Sequence, residues 1–129
     1  MVTETTIGIE LKLLYITNQS FPAPKASTVQ VMHMCAAFAT LSIEVKLVSR
    51  APETGQLSST ELQRRYDVPE NFEIKQYQRP RGLRTSDRFQ MRAFWRERDT
   101  TSICYTRGRD VTAPLLALMS GISACVEVH

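Results

Sequence analysis

The feature that most constrains the fold of this chain is a regular alternation of short apolar segments with segments of helical periodicity. The strand-like segments are residues 11–17, 44–49, 72–77, 102–106 and 123–128. Each connection is long enough for a helical crossover, which favours parallel strands and helices on both faces of the sheet. The pattern predicts an α/β protein, a three-layer Rossmann-like parallel sheet that is incomplete at the C-terminus, where the chain stops at its fifth strand.

The length of 129 residues corresponds to one domain. We expect residues 1–10 to form a loose N-terminal leader and residues 11–129 to form a single, partial Rossmann domain. The leader is acidic and polar, which is not typical of a signal peptide.

Two S-x-x-[EQ] patterns predict where helices begin. Ser27 and Gln30 form such a capping box, which predicts that the first helix begins at Thr28. Ser58 and Glu61 repeat the pattern before a shorter, more polar helix. Farther along the chain, a third helix is expected from about residue 86 to 98.

A fourth helix is predicted before the last strand. Asp110 or Thr112 can cap it, and Pro114 lies in its first turn, where the missing N–H does no harm. Gly121 is placed to end it in the left-handed conformation.

Cysteine usage and charge limit the environment and the partners. Cys35, Cys104 and Cys125 are far apart, which indicates buried thiols in a reducing compartment and no metal site. A net charge of +3 is too small to predict nucleic-acid binding. We therefore expect a cytoplasmic protein that needs no cofactor of its own.

Polar residues follow the predicted strands at their carboxyl ends, where open parallel sheets bind ligands. The candidates in the first loop are Asn18, Gln19, Ser20, Lys25, Ser27 and Thr28, and those on the rim are Arg50, Arg79, Arg107 and His129. Arginine makes charge-assisted, often bidentate bonds, which would suit an anionic or hydroxyl-rich ligand. The alternative is that strand ends are polar simply because loops lie at the surface.

The first loop, residues 18–27, contains two prolines and no glycine. A dinucleotide fingerprint needs glycines so that the backbone can approach a phosphate, and this loop excludes one. The loop is either preshaped for a polar ligand or a structural entry turn, and the residues alone favour neither.

Two stretches resemble the N-terminal half of a family-4 glycosyltransferase of the GT-B fold. They are "LLYITNQSFPAPKASTVQVMHMCAAFATLSIEVKLVSR" at 13–50 and "CYTRGRDVTAPLLALMSGISACVEVH" at 104–129. The order of strand, loop, long helix and second strand matches, as does a "YTR" segment before a helix and an "ExH" end. The first loop departs from the family by lacking its Gly-Gly pair.

The resemblance implies that the chain binds the acceptor of a sugar transfer from a nucleotide sugar. The donor would bind to a separate C-terminal domain or polypeptide, and the chain alone would be inactive. Loop 18–27 would border the reacting sugar, with Arg107 and His129 near the acceptor, which is a sugar or a lipid-linked molecule. No catalytic residue is assigned. The alternative is a non-catalytic α/β binding module or a truncated relic.

A basic segment gives a second hypothesis. Residues 75–99 contain eight Lys or Arg and three Asp or Glu. Four arginines recur at every fourth residue and would form one helical stripe, and these are Arg84, Arg88, Arg92 and Arg96. Such a stripe beside Phe and Trp residues is suited to the anionic inner face of a membrane. The alternative is a solvated face with its apolar residues, including Met91, packed on the sheet.

Overall fold

The structure is a computed structural model that describes residues 11–23, 25–52, 57–78, 85–99, 101–107 and 112–127. Among the predicted features, the leader 1–10, Arg79, Arg84, Asp110 and His129 lie outside these ranges.

The described residues form five strands and four helices in strict alternation. The strands are β1 (Lys12–Ser20), β2 (Glu44–Arg50), β3 (Glu73–Tyr77), β4 (Ile103–Arg107) and β5 (Ser123–Glu127). The helices are α1 (Ala26–Thr40), α2 (Ser59–Arg65), α3 (Thr85–Glu97) and α4 (Thr112–Met119). The strands are all parallel in the order β3-β2-β1-β4-β5, which confirms the α/β, Rossmann-like three-layer prediction.

The central strand β1 contributes side chains to both cores. Leu13 and Tyr15 pack beneath α1 and α2, whereas Leu14 and Ile16 pack beneath α3 and α4. All four side chains are buried. A strand covered on both faces needs an unbroken apolar run, which explains why residues 13–16 show no polar alternation.

The two predicted capping boxes have different outcomes. The hydroxyl of Ser58 accepts a hydrogen bond from the backbone N–H of Glu61 at 3.1 Å, which confirms Ser58 as the N-cap of α2. The box at Ser27 is wrong: α1 begins at Ala26, and its N-cap Lys25 makes no side-chain cap bond. The reason is a competing tertiary bond, because the Ser27 hydroxyl accepts from the side chain of Gln19 at 2.6 Å instead.

The predicted end of α4 is confirmed. Gly121 has a φ of +78°, the left-handed conformation that glycine adopts without the strain of a Cβ. Its N–H and that of Ile122 donate to carbonyls in the last turn of the helix.

The expectation that all three thiols are buried is wrong for one of them. Cys35 and Cys104 are buried, and burial raises the pKa of the Cys104 thiol to about 12. Cys125 is exposed on β5. It is paired in register with Tyr105, and the neighbouring Ser123 on the same side of β5 is also exposed. The layer of α1 and α2 therefore does not reach over β5.

Candidate functional site

The carboxyl edge of the sheet contains the point at which the strand order reverses. The chain leaves β1 for β2 by way of α1 on one face, and it leaves β4 for β5 by way of α4 on the other face. The two connections diverge, and ligands of open α/β sheets bind in the resulting crevice. The residues that end β1 and β4 therefore lie beside this crevice.

One pair of candidate residues meets on the α3 side of this edge. The guanidinium of Arg50 donates to the side-chain oxygen of Asn18 at 3.0 Å. It also lies over the ring of Phe89 on α3, 5.6 Å from the ring centroid. Asn18 is in the part of β1 where the register with β2 becomes irregular, between Ile16 and Ser20. Such irregularities redirect side chains at the end of a strand.

A second group meets on the α1 side. The side-chain amide of Gln19 donates to the Ser27 hydroxyl, and Arg107 at the end of β4 donates to the carbonyl oxygen of Ser27 at 3.2 Å. Arg107 also donates to the side chain of Gln30 at 3.1 Å. Residues from β1, α1 and β4 are thus joined in one network.

Glu127 on β5 completes this network. Its carboxylate lies 3.6 Å from Nε of Arg107 and accepts a hydrogen bond from the Tyr105 hydroxyl at 2.8 Å. Burial, together with this bond to a carboxylate, raises the pKa of Tyr105 above its ordinary value. We name Asn18, Gln19, Ser27, Gln30, Arg50, Arg107 and Glu127 the carboxyl-edge cluster.

Of the remaining first-loop candidates, Ser20 and Thr28 make contacts that hold the sheet and the loop together. Ser20 is paired with Arg50 in the sheet. The hydroxyl of Thr28 is buried and donates to the carbonyl oxygens of Ala23 and Lys25, both at 2.8 Å. The Lys25 side chain is exposed. Thr28 therefore holds the backbone of the loop, and among these three candidates Lys25 is the exposed one.

The loop between β1 and α1 is fixed by residues from distant parts of the chain. Phe21 is fully buried, and its carbonyl oxygen accepts from the side chain of Gln76 at 2.8 Å. The hydroxyl of Tyr66 accepts from the N–H of Ala23 and donates to its carbonyl oxygen. The loop is therefore anchored at Phe21 and Ala23, which is compatible with both hypotheses for it.

Sequence reasoning missed four residues of this region: Gln30, Tyr66, Gln76 and Tyr105. A signal existed for Gln76, because Phe72, Ile74 and Gln76 occupy alternate positions in the predicted strand 72–77 and the first two are apolar. A polar residue on the buried side of a strand needs a partner, which here is the loop. For Tyr66 the sequence contains no comparable signal.

A buried hydroxyl lies on the same face of the sheet. The ring of Tyr15 stacks beside that of Tyr105, with centroids 4.8 Å apart, and its side chain is fully buried. Its hydroxyl has no hydrogen-bond partner among the described residues. Burial is the main cause that raises the pKa of Tyr15, and the nearby charge of Arg107 acts in the opposite direction.

A cavity lies at the opposite, amino edge of the sheet. It has a volume of about 740 Å³, and its lining includes Lys12, Glu44, Lys46 and Glu97. Glu97 is buried, and its carboxylate accepts hydrogen bonds from Lys46 at 3.0 Å and from the hydroxyl of Tyr77. Cavity size alone would favour this edge as a ligand site.

The charge of Glu97 is stabilised by its neighbours. Burial acts to raise its pKa, but the bonds from Tyr77 and Lys46 and the charges of Lys46 and Lys75 outweigh burial, so the pKa is lowered. For Tyr77, burial and the bond to Glu97 raise the pKa. The carboxylate is thus held ionised. A group of this kind is better suited to stabilising the fold than to transferring protons near neutral pH.

The predicted arginine stripe lies on the outer side of α3. Arg88, Arg92 and Arg96 are exposed, whereas Phe89 and Phe94 are buried against the sheet. Met91 is exposed, so the expectation that it fills the core is wrong. The reason is its position: it follows Phe89 and Gln90, which face inwards, and lies one turn before Trp95 on the outer side of the helix.

Within the described ranges, no group of three or more His, Cys, Asp or Glu side chains could hold a metal ion. No helix of the described residues is long and apolar enough to cross a bilayer.

Comparison with known proteins gives one result for the fold. No protein-family profile and no curated protein matches the sequence. Among solved structures, the chain is similar to the C-terminal domain of a hydrogenase from Pyrococcus furiosus, with a TM-score of 0.57 and 13% sequence identity. The match covers 92% of each chain. At this identity the similarity supports the α/β fold and nothing further.

Proposed function

We propose that this chain is the acceptor-binding Rossmann-like domain of a glycosyltransferase, and that its carboxyl-edge cluster binds the hydroxyl groups of a saccharide. The observation that carries the proposal is the meeting of Gln19, Ser27 and Arg107 where the strand order reverses. Amide, hydroxyl and guanidinium groups are the donors and acceptors that a polyol needs. The sequence resemblance supports the same assignment.

The internal pairing of the cluster is compatible with ligand binding. Arg107 forms bonds to a carbonyl and to an exposed glutamine amide, and its partner Glu127 is partly exposed. Saccharide hydroxyls can replace such partners at little cost, because each is both donor and acceptor. Binding is then weak, as expected of a domain that supplies half of a cleft. A Kd in the millimolar range corresponds to a binding free energy of about −4 kcal/mol.

The donor nucleotide is assigned to a separate domain or polypeptide. Cleavage of the bond between sugar and nucleotide requires stabilisation of the leaving phosphate in a site that excludes water. The proposal assigns the chain to acceptor binding, and so it predicts no turnover when the chain alone is given a nucleotide sugar and an acceptor.

The test is saturation-transfer NMR with the purified chain, using methyl glycosides of glucose, mannose and galactose, and UDP as the nucleotide probe. We expect at least one glycoside to bind more tightly than UDP. Arg107→Ala should weaken that binding at least about tenfold, because a charge-assisted hydrogen bond contributes about 1.5 kcal/mol or more. Arg107→Lys should restore it only in part, since lysine lacks the planar fork.

The matched control is Lys12→Ala, which removes a cation from the opposite edge of the sheet, where Lys12 pairs with Glu44. Binding should be unchanged in this variant. Equal loss in both variants, or tighter binding of UDP than of every glycoside, would contradict the proposal.

A non-catalytic binding module is the second candidate. It is favoured by the pairing of Arg50 with Asn18 and of Arg107 with Glu127 within the chain itself. The two candidates differ on addition of a donor-binding domain from a glycosyltransferase of the same fold. A binding module stays inactive, whereas an acceptor domain supports transfer.

A further inference from the structure

Helix α4 has an exposed apolar stripe. The helix contains no charged residue, and its Ala113, Pro114 and Ala117 pack on the sheet. Leu115, Leu118 and Met119 point outwards, with 59%, 63% and 76% of their surface exposed. A helix that is apolar on all sides is normally covered, so this stripe indicates a surface that meets something other than water.

The adjacent helix α3 extends this surface. Met91 and Trp95 on its outer side are 43% and 46% exposed. The two helices are tied together, because Thr112 donates to the carboxylate of Asp87 at 2.7 Å and the N–H of Ala113 donates to Gln90 at 3.0 Å. They pack on the same face of the sheet, so their outer sides form one layer. We name Arg88, Met91, Arg92, Trp95, Leu115, Leu118 and Met119 the outer α3–α4 face.

The charge around this apolar surface is positive. Arg88, Arg92 and Arg96 are exposed along α3, and Arg98 stacks on Trp95, 4.3 Å from the ring centroid. The acidic side chains of α3 are each engaged by a neighbouring side chain. Asp87 is bonded to Thr112, and Glu97 is buried with Lys46. In the range 85–99, Asp99 is the exposed acid, and it lies beyond the end of α3.

We propose that the outer α3–α4 face binds an anionic lipid bilayer. The apolar side chains enter the boundary between headgroups and acyl chains, and the arginines contact the anionic headgroups, as in peripheral amphipathic helices. Trp95 is suited to the interface because its ring is apolar and its N–H is polar. A second copy of the chain fits less well, because a two-fold contact would bring the arginines of α3 close to their equivalents.

This inference goes beyond the proposed function and does not depend on it. It would hold for a binding module as well as for an acceptor domain. If both are correct, the acceptor is a lipid-linked saccharide, held beside the membrane on which the outer α3–α4 face rests.

The experiment measures sedimentation of the purified chain with vesicles of phosphatidylcholine alone and with 25% phosphatidylglycerol. We expect binding only to the anionic vesicles, and loss of binding in 0.5 M NaCl, where the Debye length falls to about 4 Å. The chain contains a single tryptophan, Trp95, whose emission should shift to the blue as it leaves water.

Charge reversal tests the surface directly. Arg88→Glu with Arg92→Glu should lower the partition coefficient by at least 25-fold, since one cation near an anionic surface contributes about fivefold. Leu118→Ser should lower it without changing its salt dependence. The matched control is Arg64→Glu with Arg65→Glu, which makes the same change in net charge on α2, across the sheet.

Three outcomes would overturn the proposal. They are equal binding to neutral vesicles, equal loss of binding in the α2 control, and an unchanged Trp95 spectrum with bound vesicles. A stable dimer in analytical ultracentrifugation, abolished by Leu118→Ser and showing no vesicle binding, would assign the face to a second copy. Glycoside binding by Arg88→Glu/Arg92→Glu should be normal, which separates failure here from failure of the proposed function.

Discussion

The pair formed by Lys46 and Glu97 gives the sharpest stability prediction. Glu97 is buried at the end of α3 and accepts from Lys46 at 3.0 Å and from Tyr77, with Lys75 at 3.8 Å. Breaking a buried ion pair by removing one partner costs about 3–5 kcal/mol. The Lys46 side chain is 31% exposed, so water screens the pair and we expect a loss of about 2 kcal/mol for Lys46→Met.

The measurement is a double-mutant cycle of Lys46→Met and Glu97→Leu, in which circular dichroism monitors unfolding by urea. The coupling free energy should be about 1–2 kcal/mol, since Tyr77 and Lys75 remain in each single variant. The control cycle uses Lys12 and Glu44, a pair 3.7 Å apart in which the Glu44 side chain is 69% exposed, and for which we expect less than about 0.5 kcal/mol. A coupling at Lys46–Glu97 no larger than in the control would refute the reasoning.

The same network predicts a pH dependence. The pKa of Glu97 in the folded chain is lowered, so its contribution to stability is present above the unfolded pKa, about 4.3. This contribution falls as the pH drops through the lower, folded value. In Glu97→Gln the unfolding free energy should change less between pH 5 and pH 3 than in the unsubstituted chain, and an equal change would contradict the assignment.

Two further predictions concern buried groups. Tyr15→Phe removes a hydroxyl without a partner among the described residues, so it should change the free energy of unfolding by less than about 0.5 kcal/mol. Tyr105→Phe breaks the bond to Glu127 and should lower the free energy of unfolding in urea by about 1.5 kcal/mol. Ellman's reagent should modify one thiol of the native chain, Cys125, and three in denaturant, because Cys35 and Cys104 are buried. Rapid reaction of more than one native thiol would contradict the burial of Cys35 and Cys104.

The fold could be predicted because its signals are local. The apolar run 13–16, the alternation in 72–77 and Gly121 after α4 each specify one element. Connections long enough for a helical crossover then favour parallel pairing of the strands. Boundaries differ by a few residues, as at β1, which continues to Ser20 beyond the predicted end at Thr17. A strand end depends on neighbouring strands, which the local pattern does not contain.

The site could be predicted only in part because its contacts are distant in sequence. Position after a strand was enough to select Arg50 and Arg107 as candidates. The bonds of Gln76 to Phe21 and of Tyr66 to Ala23 span 55 and 43 residues, and no short sequence pattern predicts them. The false capping box at Ser27 has the same cause, since the Gln19 side chain takes the place of the expected local partner.

The most direct test of the account is to determine at which edge of the sheet a saccharide binds. Amide chemical shifts of the ¹⁵N-labelled chain should be followed during titration with the glycoside that binds best. The account predicts that the largest changes fall in residues 17–28 and at Arg107, around the carboxyl-edge cluster. Changes confined to residues 12–14, 44–46 and 70–73, around the amino-edge cavity, would contradict it.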